Sequence, residues 1–296
     1  MKIIVLAAGF GKRFTEVGYA ASKPCIRVDG IPMVEHIVRM LPGNHELLFV
    51  CNAEHLTTTN LGAIIQRIAP GAAVIPIIPD PRGPVTALPH LWDRISDDEP
   101  VFITYCDFFM RWDFNAMLAV LAQGRWDGAV PCYTGFHPHL LHRKLYGGAL
   151  ADETLRMTAF REKHCWTARP EDSFHSAGSY YFSRGRELKH YSEQLLARGE
   201  PVNGEFFVSM VYYGYLADGK RVYVQPVDQF LQWGTPEDLE EYEAWSRLFA
   251  GERGKGVTDI PVHRERDVHI LYSPGTPEYR QCLEYWFRYF QHRGGR

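Results

Sequence analysis

A mixed, mainly parallel sheet flanked by helices, with a smaller β-rich portion, is the α/β fold that this 296-residue chain predicts. Three observations predict it. Apolar strand-like runs alternate with helix-like runs through the first half, the pattern of parallel strands joined by crossover helices. The first strand ends in a glycine turn and the fourth in an aspartate, which puts polar chemistry at the carboxyl ends of strands, where open α/β sheets bind ligands. Residues 128–185 then change to short β-like stretches.

The elements follow in order. "KIIVLAA" (2–8) is the first strand and runs into "GFGKR". "PMVEHIVRMLP" (32–42) has Met33, Ile37 and Met40 on one helical face, with Pro32 suited to a first turn. "HELLFVC" (45–51) is a buried strand, "LGAIIQRIAP" (61–70) a helix, "AAVIPII" (72–78) the third strand and "PVFITYCD" (100–107) the fourth, ending on Asp107. The β-rich middle holds "GAVPCYT", "YGGALAD", "LRMTAFREK" and "SAGSYYFSR". "RVYVQPV" (221–227) supplies another strand. "TPEDLEEYEAWSRLF" (235–249) reads as an acidic-started helix with Thr235 as N-cap. Asp113 reads as a helix start. The composition changes after residue 249, so the chain divides into 1–249 and an extension, 250–296, which opens with a polar, Gly-containing connector. The extension closes on "PEYRQCLEYWFRYFQHR", where Tyr279, Cys282, Leu283, Trp286 and Phe290 recur at helical spacing. Such a stripe serves as core or as a contact between subunits, and a homo-oligomer through this helix is the expectation.

Composition narrows the function. With 46% hydrophobic and 23% charged residues the chain builds an ordinary globular core. A net charge of -3 gives no basis for nucleic-acid binding, which calls for a basic excess. No apolar run approaches the ~18 residues of a membrane span. "IIVLAA" is too short for the apolar core of a signal peptide. The six cysteines lack a C-x-x-C pair and read as reduced thiols, with a cytoplasmic location expected. "HPHLLH" (His137, His139, His142) is read as a polar surface loop in preference to a metal site.

"LAAGFGKRF" admits three phosphate cradles. The dinucleotide fingerprint needs a third glycine where Phe14 stands, and "LLFVCN" ends without a carboxylate to hold a ribose. The P-loop needs G-x-x-x-x-G-K-[ST], which is absent. There remains a glycine turn whose backbone N–H groups face an anion, with Lys12 and Arg13 to neutralise it.

"SKPCIRVDGIPMVEH" adds Lys23-Pro24, then Gly30 and Pro32 leading into a helix. With it the sequence resembles the sugar-phosphate nucleotidyltransferases, also called nucleoside-diphosphate-sugar pyrophosphorylases, whose opening pattern is L-A-A-G-x-G-x-R-[FL], then K-P, then G-x-P-[ML]. The resemblance continues through "VTALPHL", "YCDFF", "REKH", "SAGSYYF", "NGEFFVS" and "WGTPEDLEEY", and so covers roughly residues 1–245.

That resemblance implies a Rossmann-like, GT-A-like nucleotidyltransferase fold whose β-rich portion binds the acceptor. It implies that Leu6, Ala7, Ala8, Gly9, Gly11 and Lys12 hold a nucleoside triphosphate, with Arg13 on the leaving pyrophosphate and Lys23 bridging phosphates of both substrates. Gly83 and Thr86, in "RGPVTAL", would approach the nucleobase, although a Gly-Pro turn capping a helix accounts for the same letters. Asp107 matches the carboxylate that binds Mg²⁺, or Mn²⁺ in its place. A hard cation of this kind takes one or two carboxylates plus phosphate oxygens. Glu162 would hold the acceptor's hydroxyls and Lys163 its phosphate, with Gly178 lining the same pocket. The reaction implied joins an NTP to a phosphomonoester, foremost a sugar 1-phosphate, releasing pyrophosphate and supplying precursors of surface polysaccharide or glycoconjugates.

One departure stands out: Gln232 occupies the place of the second metal-binding aspartate in "LQWGT". Either Asp228 supplies that carboxylate, or Asp107 works with phosphates and waters. Three rival readings stay open. A CTP-dependent enzyme acting on a non-sugar phosphate such as phosphocholine suits the aromatic stretches "SYYF", "EFFV" and "VYYGY". A GT-A glycosyltransferase would use D-x-D, whereas this chain has Cys106-Asp107-Phe108. A non-catalytic nucleotide-binding homologue is consistent with Gln232 and the extra tail.

Overall fold

The computed structural model describes residues 1–142, 145–251 and 275–291. Most of the connector expected after residue 249 lies outside them. The chain opens on β1 (Lys2–Ala7), the short α1 (Lys12–Glu16), the two-residue strands β2 (Arg27–Val28) and β3 (Ile31–Pro32), and α2 (Met33–Arg39). β4 (Glu46–Asn52), α3 (Ala53–Thr58), α4 (Leu61–Ile68), β5 (Ala73–Ile77) and β6 (Val101–Tyr105) complete the parallel half. Then come β7 (Phe108–Arg111), α5 (Phe114–Leu121), β8 (Gly128–Tyr133), β9 (Gly148–Ala151), β10 (Met157–Arg161), β11 (Phe174–Ser176) and β12 (Ser179–Phe182). The remainder is α6 (Gly185–Arg198), α7 (Tyr212–Ala217), β13 (Val222–Pro226), β14 (Gln229–Gln232), α8 (Pro236–Gly251) and α9 (Pro277–Gln291).

Ten strands form one mixed sheet in the order β10-β9-β11-β8-β12-β6-β1-β4-β5, with β13 parallel to β8. β6, β1, β4 and β5 are mutually parallel, and β12 joins them antiparallel to β6. Both faces of β1 are covered. Ile4 and Leu6 pack under the 3-10 segment Pro84–Arg94 and α6, while Ile3, Val5 and Ala7 pack under α2, α4 and α5. This two-sided burial explains the unbroken apolar run of the first strand. Asp113 caps α5, its Oδ1 accepting from Ala116 N at 2.8 Å. All six cysteines are free, and burial pushes the Cys51 thiol up to about 12.

A third cluster lies at the edge of the site. Phe14, Val28, Met33, Leu231 and Trp233 meet the apolar faces of α8 and α9. Of the stripe expected on the last helix, Cys282 and Trp286 are buried there, while Tyr279, Leu283 and Phe290 are half-buried against the cluster; Tyr285 and Tyr289 are buried beside them. Tyr285 fastens α9 to β14 twice, its hydroxyl donating to Phe230 O (2.7 Å) and its carbonyl accepting from Gln229 Nε2 (3.0 Å).

"HPHLLH" departs from the surface loop expected of it. His137 and His139 are buried, because the 3-10 turn Pro138–His142 tucks them beneath β14. Both rings pack on Tyr133, which stacks on Phe230 at 4.9 Å. His137 Nε2 accepts from Phe230 N (3.2 Å) and Nδ1 faces Gly135 O (3.2 Å), so this ring is neutral. Burial, reinforced by His175 and Arg288, lowers its pKa to about 3. The unfolded chain therefore binds a proton below about pH 6.5 that the folded chain refuses until about 3. Stability falls across that window as pH drops, by about 1.4 kcal/mol per pH unit from this group alone. Urea midpoints from pH 7 to 4 check it, and the slope flattens in His137→Gln.

Candidate active site

A crevice of about 1640 Å³ opens along the carboxyl ends of β1, β5 and β6 and continues over the β-rich half. On one side Leu6, Ala7, Ala8, Gly9, Lys12 and Arg13, the residues expected to hold the nucleotide, line the wall. Gly11 stands behind them, 3.7 Å from the Lys23 stem measured from where a Cβ would sit. Phe14 explains itself here: its buried ring lies beneath Lys23, with Nζ 5.6 Å from the centroid. The residue that breaks the dinucleotide fingerprint is thus the aromatic floor under a lysine, a favourable cation–π setting.

Gly83 and Thr86 both line the crevice, and both also make the turn that the sequence allowed as an alternative. Thr86 Oγ1 donates to Gly83 O (2.6 Å). Gly83 has φ 105°, and a Cβ there would lie 2.8 Å from Phe206 N, so only glycine fits. Phe206 N donates to Arg82 O (2.7 Å) and Val85 N to Phe206 O (3.1 Å), which clips this loop to the hairpin over Val202–Glu205.

The centre of the crevice is an ion pair. Lys23 Nζ lies 2.7 Å from Asp107 Oδ2 and donates to Gly234 O at 2.9 Å. The strand register sets this up: β14 pairs antiparallel with β7, placing Gln232 opposite Phe108 and Trp233 N on Asp107 O (3.0 Å). The same register carries Asp228 away. It sits beside Arg111 at the other end of β7, pairing with it at 3.7 Å, with its side chain 68% exposed. Four residues of extended strand, about 13 Å, separate it from Gln232. The structure does not bring Asp228 to Asp107. Gln232 lies in the crevice instead, its Oε1 accepting from the Tyr146 hydroxyl and its Nε2 donating to Asp238.

On the opposite side Glu162, Lys163 and Gly178, the residues expected to meet the acceptor, line the same crevice. Glu162 is buried and accepts from the Ser209 hydroxyl; burial raises its pKa, with Ser209 and Lys163 opposing. Lys163 adopts φ 54°, rare for a residue with a side chain, and its Nζ lies 4.9 Å from the Tyr146 ring and 5.5 Å from that of Phe207. Gly178 has φ 80°, with the rings of Phe108 and Tyr105 3.1 and 3.4 Å from where a Cβ would stand. Tyr146 joins the halves. Burial raises its pKa furthest, Asp238 and Asp107 add to it, and Arg13 opposes.

Sequence reasoning missed Tyr146, Ser209, Phe207 and Asp238. Ser209 and Phe207 stand in "NGEFFVS", a stretch it singled out without assigning roles. Nothing in the letters links Ser209 to Glu162, 47 residues away. Asp238 is visible only as the partner of Thr235 in the first turn of α8, where Thr235 Oγ1 donates to its carboxylate at 2.7 Å.

The oxygen donors fit a hard divalent cation in part. Asp107 and Gly234 O converge on one point, but Gln232 offers an amide where a second carboxylate would stand. One carboxylate and one carbonyl suit a cation that brings phosphate oxygens and waters with it. Among the described residues no group of three or more His, Cys, Asp or Glu side chains is placed to hold a metal.

Comparisons with known proteins place this arrangement. No curated protein sequence matches the chain. Among solved structures, the nucleoside-diphosphate-sugar pyrophosphorylase of Vibrio cholerae superimposes with a TM-score of 0.64 at 15% identity, over 82% of this chain and 99% of that one. A Bacillus anthracis protein assigned as a glucose-1-phosphate thymidylyltransferase gives 0.63 at 17%, over 88% and 98%. The inositol-1-phosphate CTP transferase of T. maritima gives 0.59 at 18%, over 82% and 93%. These similarities show the shared fold. The model of the MobA-like NTP transferase domain matches residues 3–172, more than half of the sequence. The chain belongs to the MobA-like NTP transferase domain family.

Proposed function

We propose that the enzyme joins a nucleoside triphosphate to a sugar 1-phosphate with Mg²⁺, or Mn²⁺ in its place, making a nucleotide sugar for surface polysaccharide or glycoconjugate synthesis in the cytoplasm. The observation that carries this reading is the Lys23–Asp107 pair, set in one crevice between the cations Lys12 and Arg13 and the acceptor pair Glu162–Lys163. The attacking phosphate oxygen is already an anion, so no general base is needed. Positioning and charge stabilisation lower the barrier, as in other phosphoryl transfers. Lys163 holds the acceptor phosphate in line with the α-phosphorus. Lys23 bridges the phosphates of both substrates, and Arg13 takes the charge that builds on the departing pyrophosphate. Asp107 would hold the metal, which when bound neutralises charge on the triphosphate.

Tyr146 and Phe207 bear on the choice of acceptor. Their faces already meet the Lys163 ammonium, and a choline-like cation there would repel it. This favours a sugar phosphate over phosphocholine. Purified protein with each of four NTPs and a panel of sugar 1-phosphates and small phosphomonoesters, phosphocholine included, is expected to release pyrophosphate with one matched sugar-phosphate pair. Silence with every pair, or release of free nucleoside diphosphate from a nucleotide sugar, overturns the proposal.

A further inference from the structure

The geometry points to a cation exchange at Asp107: the chain by itself holds no divalent cation, and Lys23 leaves Asp107 only when a nucleoside triphosphate brings one in. This inference rests on the nucleotide-binding reading of the crevice. It adds that the protein's own ammonium guards the metal position until nucleotide arrives.

The arrangement has three parts. First, the oxygens a hard cation would use are engaged by a cation already. Lys23 Nζ is 2.7 Å from Asp107 Oδ2 and 2.9 Å from Gly234 O, and both ionic side chains are mostly shielded, at 19% and 30% exposure. Second, the neighbouring position carries no charge. The point where a Gly234 Cβ would sit is 3.5 Å from Asp107 Oδ2 and 3.9 Å from Gln232 Cγ, so both side chains flank Gly234. Its amide is engaged at both ends, by the Tyr146 hydroxyl and by Asp238. Third, Mg²⁺ demands six oxygens in near-octahedral order and sheds water reluctantly, so one carboxylate cannot recruit it against an ammonium in place. A triphosphate supplies several of the six.

The exchange also puts the ammonium where it is needed. A cation arriving on the triphosphate replaces Lys23 at Asp107, so the carboxylate stays neutralised throughout. Lys23, hinged over the Phe14 ring (5.6 Å), is released toward the phosphates that have just entered. The lysine thus becomes available to both substrates only once nucleotide is bound.

The test is titration of Mn²⁺, followed by calorimetry and by the electron paramagnetic resonance of free Mn²⁺. It is run on the EDTA-stripped full chain, and again on the chain with each of four α,β-methylene nucleoside triphosphates, corrected for Mn²⁺ bound by nucleotide alone. The apo chain is expected to bind Mn²⁺ about a hundredfold more weakly than the complex with the matching analogue. Lys23→Ala, which frees Asp107, and Gln232→Asp, which adds a carboxylate, are each expected to tighten apo binding about tenfold or more. Mn²⁺ binding by the wild-type apo chain as tight as in the complex overturns this inference alone, as do unchanged apo affinities in both variants. Failure of all four analogues to bind with Mn²⁺ present overturns the nucleotide reading and this inference with it.

Discussion

Lys23→Ala lowers the rate of pyrophosphate release by two or more orders of magnitude, and Asp107→Ala does the same. Removing one preorganised group that stabilises transition-state charge costs about 2.7–4 kcal/mol in the barrier. On the proposed reading Lys23 meets that description through its ammonium, and Asp107 through the metal it would hold. The loss falls on kcat, since Lys12, Arg13 and the backbone of the glycine turn remain to hold the triphosphate. Single-turnover pyrophosphate release with saturating substrates measures it, and a rate within tenfold of the parent for either variant sinks the assignment of this pair.

Trp286→Ala is expected to cost about 3–5 kcal/mol of folding stability, the range for emptying a buried aromatic site. Trp286 is 5% exposed and packs against the Tyr242 ring at 5.6 Å, inside the cluster that also holds Phe14 and Trp233. Its neighbour Phe287 is 45% exposed, and Phe287→Ala is expected to stay within about 0.5 kcal/mol of the parent. Urea unfolding of the two variants side by side checks both. Equal losses would mean that the face of α9 packed on α8 does not stabilise the fold. Because Phe14 and Trp233 belong to the cluster, Trp286→Ala also loosens the ground under Lys23 and Gly234, so a lowered turnover should accompany the lost stability.

The fold was legible where one face or one strand decided it. "KIIVLAA" is apolar on both faces, and a strand covered on both sides is the simplest answer to that run. Lys23-Pro24, Asp107 and Glu162-Lys163 were legible as separate short motifs, and the sheet brings all of them to a single crevice. The register of β14 on β7 was not legible. It depends on a pairing across more than a hundred residues, and a strand's letters do not name its partner. That register decides that Gln232, and not Asp228, lies in the crevice with Asp107. "HPHLLH" misled for a similar reason. Histidines read as polar until Tyr133, close by in sequence, and Phe230, distant from them, close over them. The terminal stripe was legible as an apolar face, while its destination, α8 of the same chain, was not.

The contact of Gly83 with the Phe206 backbone has a practical meaning for redesign. Residues 78–87 and the hairpin at 202–207 are bonded to each other, Phe206 N donating to Arg82 O and Val85 N to Phe206 O. A change of base preference made by grafting residues 78–87 from a relative would import a loop shaped for a different hairpin. The transplant unit in this scaffold is therefore two segments, 78–87 together with 202–207, and on the proposed reading base choice and acceptor choice would be inherited as a pair.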